Sequence, residues 1–71
     1  MIEGTYRHFK GKLYVALAVV KHSETEEDLV LYRSIDSAQM WVRPLSMWAE
    51  HIEREDYSGP RFTRISEDIP G

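Results

Sequence analysis

The sequence has 71 residues, a formal net charge of -3, 42% hydrophobic and 30% charged residues, and no Cys. That length allows one compact domain, residues 1–71, and excludes a two-domain enzyme. The absence of Cys excludes disulfides, thiolate metal sites and cysteine nucleophiles.

The composition, with a mean hydropathy of -0.47, is that of a folded globular chain rather than a disordered or collagen-like one. A chain this short buries only about 60% of the surface its unfolded form exposes, so its stability is of order 3 to 10 kcal/mol and must come from apolar packing. The longest apolar run, Leu13 to Val20, has eight residues, far short of the roughly 20 that span a bilayer. With no basic-plus-apolar leader at the start, the expectation is a cytoplasmic protein away from the membrane.

In chain order, Thr5 to Phe9 is an aromatic-rich run, Lys10-Gly11 a turn signal, and Leu13 to Val20 a branched apolar run. Together they read as a β-hairpin. Both alternating faces of the second run are apolar, which predicts a central strand buried on both sides. Ser23 to Asp28 is a polar loop whose hydroxyls can close onto backbone N–H groups.

Leu29 to Ile35 gives a third strand, Asp36-Ser37 a turn, and Met40 to Arg43 a fourth short strand. Pro44 suits the first position of a helical turn, with Leu45, Trp48, Ala49 and Ile52 along one face. His51 to Glu55 fits helix, strand and loop alike, and Ser58-Gly59-Pro60 reads as a break. Arg61 to Ile65 makes a last strand and 66–71 a fraying tail, leaving a core of about 4–65. The sum is mainly β: a small closed or nearly closed barrel of about five antiparallel strands with one short helical turn, closure being the way a short sheet removes its edges.

Tyr6-Arg7-His8-Phe9-Lys10-Gly11, His22-Ser23-Glu24-Thr25 and Trp41-Val42-Arg43-Pro44, with Tyr14, Val30-Tyr32, Met47 and Arg61-Phe62 in order, resemble the small bacterial domain of unknown function family 1653 from about Gly4 to Phe62. The resemblance implies an SH3-like barrel and no assigned activity. Trp48 stands where a Phe is more usual, and Ile35 to Gln39 replaces a Gly-containing loop.

Charge is segregated: residues 1–22 sum to +3 and residues 23–28 to -4. The basic hairpin 6–12, with interleaved aromatics, has the residue types that grip single-stranded nucleic acid. A sequence pI of about 5.5 weighs against that partner, and alternation simply puts Tyr6 and His8 on one strand face and Arg7 and Phe9 on the other. His22 and Glu24 are the one candidate acid-base pair, His22 serving as base. No oxyanion donors, nucleophile elbow or phosphate loop accompany them, so the sequence leans away from an enzyme. His8, His22 and His51 fit no zinc or calcium spacing, and neither metal nor cofactor is expected.

Arg43 and Arg7 could hold a carboxylate or phosphate by forked hydrogen bonds, or pair internally with Glu24 or Glu50. Trp41 beside Tyr32 could line a peptide groove or pack in the core. The expected role is therefore a binding module for a peptide, a partner protein or a small anionic ligand. Its candidate site is Tyr6, Arg7, His8, His22, Glu24, Tyr32, Trp41 and Arg43, which this reading expects on one exposed face.

Overall fold

The predicted hairpin forms: β1 (Gly4–His8) pairs antiparallel with β2 (Leu13–Lys21), setting Tyr6 opposite Tyr14. Gly11 turns the chain at φ +107, a backbone region that side chains disfavour. The structure, a computed structural model, describes residues 2–70.

β3 (Asp28–Ser34) and β4 (Met40–Pro44) extend the sheet on one side, and β7 (Phe62–Ser66) pairs antiparallel with β1 on the other. The order is β4-β3-β2-β1-β7. A separate two-stranded ribbon joins β5 (His51–Arg54) to β6 (Tyr57–Pro60), and α1 (Leu45–Trp48) follows β4. The described residues are mainly β, with seven strands rather than about five.

The expected closure is not made by hydrogen bonds, because β4 and β7 do not pair. The sheet curls instead. In a flat sheet, β3 and β7, three spacings apart, would lie about 14 Å from each other, yet the Tyr32 and Phe62 ring centroids are 6.1 Å apart. Arg43 of β4 reaches over the Phe62 ring at 5.8 Å, so side chains span the gap that the backbone leaves open.

The inner face of the curl carries the core: Tyr6, Ala16, Val30, Tyr32, Trp48 and Phe62. Ala16, fully buried, leaves room at the centre for the surrounding rings. Trp48 stacks on Phe62 at 3.9 Å and 9°, so the larger aromatic at this position is absorbed by the core.

Central placement of β2 holds, but burial on both sides is confined to Val15 and Ala16. The cause is register: β1 covers only Leu13 to Ala16. Beyond a bulge between Ala16 and Ala18, β2 pairs with β3 alone, and Val19 is 43% exposed.

Pro44, expected as the first helical residue, is instead the N-cap of α1, so the helix starts one residue later at Leu45 and ends at Trp48. Ala49 is therefore exposed off the helix, while Ile52 is buried from β5. Ser58-Gly59-Pro60 lies inside β6 rather than breaking the chain. A ribbon end tolerates Pro, whose missing N–H has no ladder partner to lose.

The tail expected to fray from 66 makes defined contacts. Ser66 ends β7. The Thr5 hydroxyl donates to the Asp68 carbonyl at 3.0 Å, and Arg33 Nη2 to the Pro70 carbonyl at 2.6 Å. Thr5, Val15 and Arg33 are cross-strand neighbours on the outer face, so these bonds carry the tail over fully buried Val15. At the start of β1, Gly4 has φ +146, and a Cβ there would collide with the Ser66 carbonyl. No helix among the described residues is long and apolar enough to cross a membrane.

Candidate functional site

Strand alternation and register sort the eight predicted residues. Tyr6, His8, Tyr32, Trp41 and Arg43 share the inner face, through the pairs Tyr32 opposite Trp41 and His8 opposite Phe62. Arg7 alternates to the outer face and is exposed, so it cannot act with Arg43 on one ligand. His22 lies in the β2–β3 turn, eight residues along from Tyr14, about 26 Å away in an extended strand.

Two inner-face members are structural. Tyr6 is 8% exposed, meets Trp48 edge-on at 5.1 Å and donates its hydroxyl to the Ile2 carbonyl at 2.7 Å. Burial, more than any neighbour, pushes its phenol pKa up. Tyr32 is 7% exposed and packs on Trp48 at 5.0 Å.

His22 braces its loop. Its Nδ1 accepts from the backbone N–H groups of Glu24 at 3.1 Å and Thr25 at 3.3 Å, so Glu24 meets it through the main chain rather than the carboxylate. The adjoining Lys21–Asp28 ion pair, 3.0 Å long and exposed on both sides, contributes about 0–1 kcal/mol. Among the described residues no three His, Asp or Glu side chains group as metal ligands do.

What remains is an aromatic ledge at the β1–β2 end. Trp41, 41% exposed, tilts against Tyr32 at 5.8 Å and meets Tyr14 edge-on at 6.4 Å. Half-buried His8 packs edge-on to Phe62 at 5.0 Å and Tyr14 at 6.2 Å, and lies beside Phe9 at 4.6 Å. Phe9 in turn stacks on Tyr57 at 5.5 Å, docking the β5–β6 ribbon here.

The ledge is cationic. Lys10 and Arg54 sit over Phe9 at 5.9 and 5.8 Å, and Arg43 over Phe62. Arg61, preceding Phe62, bonds Glu50 at 2.7 Å. Burial first, then the positive charges of Arg61, Arg43 and Lys10, hold the His8 imidazole below its ordinary value. The Nε atoms of Arg43 and Arg61 are buried without hydrogen-bond partners among the described residues. Such donors cost about 1–3 kcal/mol each when left unpaired.

Tyr14, Phe62, Phe9 and Arg61 are members that sequence reasoning left out of the site. The signal for Tyr14 was the hairpin itself, since its register sets Tyr14 opposite Tyr6. The others depend on the curl and on the ribbon, which no local pattern announces. Two open grooves lie elsewhere on the surface, one beside Ile35, Ala38 and Pro70 and another between Asp28 and Leu45.

A curled, mainly β sheet with a solvent-facing aromatic and cationic edge defines the class of this protein. The chain belongs to the family Protein of unknown function (DUF1653), whose family model matches residues 4–64. It is also similar to the crystal structure of a protein belonging to DUF1653 from Bordetella bronchiseptica, with 31% identity over 100% of this chain and 95% of that one and a TM-score of 0.85. The comparison with curated proteins returns no match.

Proposed function

We propose that the chain is a non-catalytic binding module that takes a peptide, a partner protein or a small anionic ligand on the aromatic ledge. The observation that carries this reading is Trp41, a large ring 41% exposed on edge strand β4 and braced by Tyr14 and Tyr32. Trp, Tyr and Arg dominate binding energy at interfaces because large, pre-ordered rings lose little entropy on contact. β4 also has a free edge, whose main-chain groups can pair with an added strand.

The strand order β7-β1-β2-β3-β4, with the helical turn after β4, supports an SH3-like reading of the curled meander. Such a barrel with aromatic walls suits recognition of extended peptides. His22 and Glu24 have a structural use in the loop, which favours recognition over catalysis. We read the setting as cytoplasmic on the strength of the cysteine-free sequence.

The test is Trp41→Ala against peptides selected from a displayed random library. Affinity falls at least about tenfold while the melting curve stays cooperative. Unchanged affinity in the variant contradicts the reading, and a selection that yields no binder removes the peptide as its ligand.

A further inference from the structure

We propose that the aromatic ledge contains an oxyanion subsite, in which Arg43 holds a single carboxylate of a ligand whose apolar part rests on Trp41 and Tyr14. The inference builds on the recognition reading and names the chemistry of its ligand.

Charge distribution is the first argument. In a chain of net charge -3, four cations, Lys10, Arg43, Arg54 and Arg61, gather around the ledge rings and His8. Among the described residues only one of them, Arg61, has a carboxylate within 4.0 Å, that of Glu50. Lys10, Arg43 and Arg54 have no such carboxylate among the described residues.

Arg43 supplies the second argument. Its guanidinium lies against the Phe62 ring, and its buried Nε has no hydrogen-bond partner among the described residues. Stacked arginines are held in one orientation, and the planar fork of donors matches a carboxylate in a bidentate pair. Apolar rings alongside exclude water and strengthen such a pair.

The Arg61–Glu50 pair gives the third, because it shows what the neighbouring guanidinium does with a carboxylate, closing to 2.7 Å. With Arg61 engaged, Arg43 is the fork left over the Phe62 ring, which suits one negative charge there. A small aromatic acid and the C-terminus of a peptide both carry that group next to an apolar body.

The experiment measures amide-shift titrations with 3-phenylpropionate and its neutral amide, and in a second arm with an Ala-Leu-Phe tripeptide and its C-terminal amide. Each acid is expected to bind at least about tenfold more tightly than its amide, the worth of a charge-assisted hydrogen-bond pair. Arg43→Met removes that preference, and bound acid raises the His8 pKa. Arg43→Lys, which retains charge without the fork, loses at least about threefold of the preference and serves if the Met variant does not fold. The arm with the tighter acid identifies the source as small molecule or peptide end. Acid and amide binding equally at Trp41 overturns the subsite while the recognition reading stands. Absence of binding by all four probes, or a preference that survives Arg43→Met, also overturns it.

Discussion

His8 shows how one side chain reports its surroundings. Its ring is half buried among Phe9, Tyr14 and Phe62, and its Nδ1 accepts from the Lys10 backbone N–H at 3.1 Å. Burial, followed by Arg61, Arg43 and Lys10, lowers its pKa from 6.5, so the unfolded chain takes up a proton that the native state resists. Stability therefore falls as pH drops through 6.5 toward the native pKa, and levels off below it. Urea midpoints of wild type and His8→Gln between about pH 8 and 5 measure this. Wild type is expected to lose more stability over that range than the variant, and equal losses would contradict the assignment.

Elements were legible where a local pattern sufficed. The Lys10-Gly11 hairpin, the polar β2–β3 loop and the short β4 follow from turn chemistry and apolar runs, and the helical turn after Pro44 follows from its spacing. The β5–β6 ribbon was not legible. His51 to Arg54 alternates weakly, and Gly59-Pro60 mimics a break, because that ribbon is held by packing such as Phe9 on Tyr57 rather than by its own pattern. The tail was misread for a related reason. Polar residues ending in Pro signal fraying, whereas the Thr5 and Arg33 bonds that hold them come from strands far away in sequence. Truncation after Ser66 removes both bonds and uncovers Val15. It is expected to lower stability by about 1–3 kcal/mol, read as a shift in the urea midpoint. An unchanged midpoint would show that the strap contributes nothing.

For the whole molecule, the curl divides the predicted site. It buries Tyr6 and Tyr32, while strand alternation sends Arg7 to the opposite face and the length of β2 leaves His22 and Glu24 at the far loop. His8, Trp41 and Arg43 stay together, and Tyr14 and Phe62 join them. Composition and residue type indicated the aromatic and cationic character of the site, but membership depended on register and sheet curvature, which only the folded chain displays. Both faces of β4 expose apolar groups, Trp41 inside and Met40 and Val42 outside, so the choice between them is the central claim. Amide-shift mapping of the full chain with a library of short peptides and aromatic acids tests it most directly. The account predicts the largest changes at His8, Tyr14, Trp41 and Arg43, with Leu31 and Val42 silent. Changes centred on Met40, Leu31 and Val42, or no localised change at all, would contradict it.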